Sequence, residues 1–386
     1  MEAIRFDEQA LRENADKDLH SKAIALNGLG IAYRNIGNYD KAIEYYEQAL
    51  VLARQEKDTA SEGRVLGNLG NCYFYVGDYA RAIDYNRQGL DLALRLRQKR
   101  AEGIRLGNLA LAYSAIGNYK EALLHAERAL QICVEVDDKR NESINRGYVA
   151  ICHHNLGSYD EAIRNHNLSL AIAREYGMRS IEAYRVDAIG ETYMTIGEYD
   201  RAEQQYAEAL RITTEINTLP QQNFIRMKLG QLHLMQDRFT DGVSLLEAVV
   251  ANPTPLVEDR ARMLLGVGYL KLGRREAAIL QFKAAREAAE RILAKSELAY
   301  RASYSEALAF YGMLIASDAS DAPPPDTILG IGASFSKAVR GCRDVGALTE
   351  LTIPYSMLKL LDEQAIFRTL DIIIEGTENG SSNPAT

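Results

Sequence analysis

NLGNCYFYVGDYARAIDYNRQGL, residues 68–90, decides the fold, because the chain repeats it. It returns as NGLGIAYRNIGNYDKAIEYYEQAL from Asn27 and as NLALAYSAIGNYKEALLHAERAL from Asn108, then in looser form from Tyr148, Ala188 and Lys228. Gly37, Gly77, Gly117, Gly157 and Gly197 form one column at a 40-residue spacing, and Tyr39, Tyr79, Tyr119, Tyr159 and Tyr199 form another. A fixed period of this length marks a stacked array in which each unit packs on its neighbours.

Within one unit, Leu69, Gly70, Tyr73 and Val76 fall at helical spacing and predict the apolar face of a first helix. Gly77 ends that helix in a left-handed conformation, and Asp78 caps the next one. Ala82, Ile83, Asn86 and Leu90 then mark the core face of a second helix, with the small Ala82 permitting close approach. A hairpin that is apolar on more than one face cannot bury itself alone. The expected fold is therefore all-α, a right-handed superhelical solenoid of stacked helical hairpins with a C-terminal helical cap.

The columns Leu69, Gly70, Tyr73, Gly77, Tyr79, Ala82 and Leu90 resemble those of the tetratricopeptide repeat over six or seven consecutive units. The 40-residue period, against about 34 for most of that family, is similar to that of Pins-type polarity adaptors and of the sensor arms of bacterial STAND signalling ATPases. The resemblance implies a non-catalytic scaffold with a protein or peptide ligand along the concave face. The leading context is the sensor or interaction arm of a larger bacterial signalling protein whose other domains would be further partners. A free-standing Pins-like adaptor is one alternative, and a receptor for a small molecule or short signal peptide is another. The last draws on the grouping of Met194, Met227, Leu234 and Met235. In Pins-type arrays, asparagines such as those of NLGN from Asn68 grip partner backbones, but repeat three keeps only Asn108 and has Leu111 in the second place. The carboxylate clamp of chaperone-binding arrays needs a lysine and an asparagine where repeat two has Gly67 and Asn71, which argues against that partner class.

A net charge of −8 with no basic stripe argues against nucleic acid. The longest apolar run, 307–316, is too short for a membrane span, and no secretory segment opens the chain, so a cytoplasmic protein is expected. Cys72, Cys133, Cys152 and Cys342 lack CxxC spacing and read as core thiols. No GxxxxGKS, GxxxxGKT, GxSxG or HExxH motif occurs. His153 and His233 take the place of the core aromatic of their repeats, His154 lies on another face, and Asp137 and Asp138 sit in a turn. No enzyme activity, cofactor or metal is expected.

EAIRFDEQAL from Glu2 echoes KAIEYYEQAL from Lys41, so residues 1–20 read as the second helix of a partial repeat, by truncation or as a natural N-cap, with truncation favoured. An array of about seven repeats is expected over 21–295. Repeat six departs from the pattern at Asp237, Phe239 and Gly242 and reads as the looser one, closed by NPTP at 252–255. Repeat seven arrives four residues early, from Leu264. A helix is expected over 296–316, a Pro-rich breaker at 317–325, further helices to 375 and a disordered tail at 376–386.

First helices line the concave surface of such arrays. Arg64, Gly67, Asn71 and Phe74 share one side of theirs, with Tyr75 beside them and Asn68 and Asn108 flanking. Later units offer His154 and Asn155, then Tyr184, Asp187 and Glu191. These residues form the candidate partner-binding face, because asparagine amides can hold an extended backbone. Mid-helix glycines such as Gly67, Gly107 and Gly147 either leave room for a ligand backbone or serve helix packing.

Overall fold

Eleven successive helices from Leu19 to Met235 are each 17 residues long, and the same turn follows each. The structure, a computed structural model, describes residues 19–255, 257–293 and 300–316. The chain divides into two compact units, 1–176 and 177–386. The first holds four hairpins: α1 (Leu19–Asn35) with α2 (Tyr39–Gln55), α3 (Thr59–Tyr75) with α4 (Tyr79–Arg95), α5 (Lys99–Ala115) with α6 (Tyr119–Glu135), and α7 (Lys139–Asn155) with α8 (Tyr159–Glu175). The second holds α9 (Arg179–Thr195) with α10 (Tyr199–Glu215), α11 (Leu219–Met235) with α12 (Phe239–Ala251), α13 (Glu258–Lys271) with α14 (Arg275–Leu293), and α15 (Tyr300–Ala316) packed on α14.

The turns explain the equal lengths. Gly37, Lys57, Gly77, Arg97, Gly117, Asp137, Gly157, Gly177, Gly197, Asn217 and Asp237 all have positive φ, so the backbone repeats every 20 residues, half the sequence period. After α3 the Gly77 N–H donates to Phe74 O at 3.0 Å and the Asp78 N–H to Tyr73 O at 2.9 Å. After α4 the Arg97 N–H donates to Leu94 O at 3.1 Å and the Gln98 N–H to Ala93 O at 2.9 Å. The orphan carbonyls at the helix end are met in the same way in both turns. A side chain at the left-handed position costs about 1–2 kcal/mol, so glycine keeps the turn inside the hairpin while the turn between hairpins tolerates Lys57 and Arg97. Asp58, Asp78 and Asp138 accept from backbone N–H groups of the following helix, as do Asn38 and Asn118.

Hairpins close on small residues. Ala42, Ala82, Ala122, Ala162 and Ala202 are all 0% exposed. Opposite them an aromatic ring lies flat on a glycine of the first helix: a Cβ on Gly30 would stand 2.5 Å from the Tyr46 ring, and one on Gly266 would stand 2.5 Å from the Phe282 ring. In repeat two Asn86 takes the place of the ring, 2.3 Å from a Cβ on Gly70. Leu69 and Tyr73 are buried as expected, but Val76 is 43% exposed, because it caps the helix end rather than extending its core face.

Repeat six is not loose. Met227, Leu234, Val243, Leu246, Val249 and Met263 belong to one continuous apolar cluster that extends into α15. Its departures from the pattern are compensated locally: a Cβ on Gly242 would stand 2.9 Å from Gly230 O, so the two helices cross backbone to backbone. Asp237 takes the left-handed turn in place of glycine, and the next such residue is Gly273, which gives the shortened step. The helix expected from Ser296 is seen from Tyr300, and the breaker, the C-terminal cap, the tail and the N-terminal partial repeat lie outside the described residues.

Ala122→Leu and Ala202→Leu should each cost about 1 to 3 kcal/mol by overpacking a close crossing. Urea melts of both variants check this, and a far smaller loss at Ala202 would mean that its surroundings yield.

Candidate partner-binding face

In the unit 1–176 the first helices α1, α3, α5 and α7 touch in succession, while successive second helices make no comparable contact among the described residues. The first helices therefore form one continuous layer in this unit. The stripe left free by packing runs through positions spaced by four, three and four residues. It carries Ile24 and Ile31 on α1, then Arg64, Asn68, Asn71 and Tyr75 on α3, Ile104, Asn108 and Leu111 on α5, and Ile144, Tyr148 and Ile151 on α7, all exposed or half-buried. The face is more apolar than the asparagines suggested. Its isoleucines and Leu111 are legible once the positions of Arg64 and Asn71 are carried forward by the 40-residue spacing.

The structure separates the polar candidates by what they already hold. Asn68 donates from Nδ2 to Asn27 Oδ1 at 3.0 Å and accepts from Arg34 Nη1 at 3.4 Å, so much of its amide is spent between repeats. Asn108 donates to Asn86 Oδ1 at 3.1 Å, and Asn155 turns its amide back to Ile151 O at 2.9 Å. Arg64 is exposed and donates to Ser61 Oγ at 2.8 Å. Asn71, half-buried in mid-stripe, makes no hydrogen bond to the described protein.

Phe74 does not sit opposite the core. It packs against the apolar cluster of repeats one and two, tilted on Tyr79 at 5.5 Å and edge-on to Tyr75 at 5.7 Å. His154 repeats this arrangement against Tyr159 at 5.5 Å. Tyr75 is 61% exposed and stacks on Tyr39 at 5.2 Å. These rings brace the turn end of the hairpins, and among Phe74, Tyr75 and His154 only Tyr75 is exposed rather than half-buried.

The mid-helix glycines also have a packing role. The notch at Gly67 is filled by the Arg105 guanidinium, whose Nη1 stands 1.6 Å from where a Cβ would be, and the notch at Gly107 by Asn145, whose Oδ1 stands 2.7 Å away. At these two positions the room belongs to a side chain of the next repeat rather than to a ligand backbone. Burial pulls Arg105 down to about 10. Cys72, Cys133 and Cys152 are buried, and burial pushes their thiols up to about 11, 11 and 12, which keeps them protonated and unreactive at neutral pH.

In the unit 177–386, Lys228 donates to Asp187 at 3.0 Å and to Glu191 at 2.8 Å, and its ammonium lies 4.6 Å from the Phe224 ring centroid. Asp187 and Glu191 are therefore engaged by a lysine that the sequence reading passed over. The pair Asp187–Lys228 has the same 41-residue offset as Asn27–Asn68, so one inter-repeat position carries an amide pair in one unit and an ion pair in the other. Tyr184 is 54% exposed, with the Arg185 guanidinium 4.9 Å from its ring centroid. Met227 and Leu234 are core at 2% and 1% exposure, and Met235 packs against them, so these residues do not form an open groove. His233, 7% exposed, bonds Glu203 through Nε2 at 2.9 Å while its buried Nδ1 has no partner, so it is a core histidine satisfied at one ring nitrogen only. No helix among the described residues is long and apolar enough to cross a membrane.

Lys228→Met should destabilise the chain by about 3 to 5 kcal/mol, because it removes the ammonium paired with the carboxylate of Asp187, itself 7% exposed. Chemical denaturation measures this, and a loss under 1 kcal/mol would show the pair to be peripheral.

Tetratricopeptide repeat family models match residues 21–95, 62–134, 101–175 and 140–215, and a second model of that repeat matches 227–284. No curated protein matches the chain significantly. Among solved structures, a Rap protein complexed with Competence and Sporulation Factor is 16% identical with a TM-score of 0.57, covering 76% of this chain and 82% of its own. Aspartyl phosphate phosphatase F from Bacillus subtilis is 12% identical with a TM-score of 0.54, over 72% of this chain and 73% of its own. A STAND protein with a tetratricopeptide repeat sensor, from Pyrococcus horikoshii, is 16% identical with a TM-score of 0.58, over 76% of this chain but only 45% of its own. At these identities the likeness is one of fold. The repeated columns, the paired helices and the family matches together place this chain in the tetratricopeptide repeat family.

Proposed function

We propose that the chain is a non-catalytic scaffold that holds a protein or an extended peptide against the first-helix stripe of its first four repeats. The observation that carries this reading is Asn71: a half-buried amide with no hydrogen bond to the described protein, set among exposed or half-buried apolar residues. A carboxamide offers both a donor and an acceptor, the pair that an extended backbone presents. Ile104, Leu111, Ile144 and Ile151 supply apolar surface for the ligand's side chains, and Tyr75 supplies a rigid aromatic one. Arg64, Asn68 and Asn108 frame this site, while His154 and Asn155 lie at its end on α7.

The context that agrees best with this reading is the sensor or interaction arm of a larger bacterial, cytoplasmic signalling protein. The fold shared with the repeat sensor of a STAND protein, and with a Rap protein complexed with Competence and Sporulation Factor, supports it. A free-standing Pins-like adaptor remains the alternative. A complete reading frame carrying a P-loop ahead of the array would support the arm, and one with no further domain would favour the adaptor. With Met227 and Leu234 in the core, the methionine grouping no longer supports a small-molecule site, while a receptor for a short signal peptide stays a second alternative, supported by the fold shared with a Rap protein complexed with Competence and Sporulation Factor.

Asn71→Ala should weaken binding of a selected peptide by about 1 to 3 kcal/mol and leave the melting temperature unchanged. Octamers selected from a random display library provide the ligand, and calorimetry compares wild type with the variant. Phe74→Ala is the contrasting case, since it should lower the melting temperature as well. Unaltered affinity in Asn71→Ala would move the site off this stripe.

A further inference from the structure

The arginine in the Gly67 notch differs from its neighbours. Arg54, Arg81, Arg95, Arg100, Arg128 and Arg146 each lie within 4 Å of a carboxylate, and Arg34, Arg64 and Arg87 donate to a side-chain amide or hydroxyl oxygen. Arg105 is near none among the described residues, and its one hydrogen bond is a long one, 3.5 Å from Nη2 to Gly63 O. Nε and Nη1 have no partner, yet they are absent from the buried atoms sealed away without one, so they keep some access to solvent. A desolvated cation left without an anion is costly to fold around.

The surroundings hold the head in place. The guanidinium lies over the bare backbone of Gly67, and the Arg105 stem passes Gly89, where a Cβ would stand 3.1 Å from its Cδ. Any larger residue at Gly67 would displace the head. Gly67 lies between Arg64 and Asn71 along α3, so the notch opens beside the half-buried and exposed residues of the stripe. Nη2 donates one N–H to Gly63 O and keeps the other, which lies side by side with an N–H of either Nε or Nη1, so the fixed head retains one planar two-donor edge, and its desolvation is already borne by the fold. That arrangement favours a planar oxyanion able to accept two N–H groups side by side.

We infer that Arg105 is an anchor for a carboxylate of the bound peptide, an acidic side chain or the chain terminus, received at the Gly67 notch beside Asn71. This rests on the proposed function in assuming a peptide ligand, but the anion site can be tested apart from it. Lysine would place a point charge where the fork is needed and should rescue only in part.

The direct test titrates sodium acetate into the chain at constant ionic strength and follows arginine Nε–H cross-peaks by NMR. One cross-peak should shift saturably, should be missing from the Arg105→Gln spectrum, and should not respond to chloride. Uniform, unsaturable drift of all arginine peaks, or a saturable peak that survives in Arg105→Gln, would overturn the assignment. Inorganic phosphate binding more tightly than acetate would overturn the carboxylate and leave a phosphate site. The second arm uses the selected octamers. Binders should be enriched in Asp, Glu or a free C-terminus, and Arg105→Gln should weaken them roughly ten- to hundredfold, with Arg105→Lys between the two. Circular dichroism and melting of Arg105→Gln confirm that the array still folds. Octamers that bind without any acidic preference would refute the anchor while the scaffold reading stands, whereas a library yielding no binder would refute the scaffold reading and leave the acetate titration to decide the anchor.

Discussion

A left-handed residue every 20 positions from Gly37 to Asp237 is the constraint on which this structure depends. It stops each helix from Leu19 to Met235 at the same length, and within the unit 1–176 equal lengths keep the first helices in the same rotational phase. Because the phase is kept, position 64 of one repeat and positions 104 and 144 of the next two all fall on the free stripe. A helix one residue longer would carry the chain about 100° further round its axis before the turn, since an α-helix turns once in 3.6 residues, and would shift the stripe out of line with its neighbours. Binding geometry in this array is thus a consequence of turn geometry.

The hairpin fold was legible because its signals are local. Gly77, Asp78 and Ala82 each state one requirement of the hairpin, and the structure meets each of them. The half-period was hidden, because of the five alternate turns only Gly177 carries glycine, while Lys57, Arg97, Asp137 and Asn217 share the conformation but no letter. Repeat six was misjudged for a related reason. A repeat pattern records the common solution to close packing, and the Gly230–Gly242 crossing is a different solution of equal quality.

The candidate face was harder to read than the fold, since it depends on what a side chain has already bound. Asn68, Asn71 and Asn108 look alike in sequence, yet two are spent on Asn27, Arg34 and Asn86, and only Asn71 is free. Asp187 and Glu191 likewise read as groove residues until Lys228, some forty positions away, is brought against them. Gly67 shows the same dependence: its missing side chain makes a space whose occupant, Arg105, comes from the next repeat. Contacts between repeats are not visible within any one repeat, and this array places its polar chemistry there.

The most direct test of the account asks which surface a bound peptide touches. Leu111 lies on the free stripe of α5, and Leu124, 60% exposed, lies on the second helix of the same hairpin. Replacing each in turn with the photoreactive benzoylphenylalanine and irradiating with a selected octamer gives a binary readout. The account predicts crosslinks from position 111 and none from position 124. Crosslinking from 124 with none from 111 would contradict it and place the ligand on the second helices.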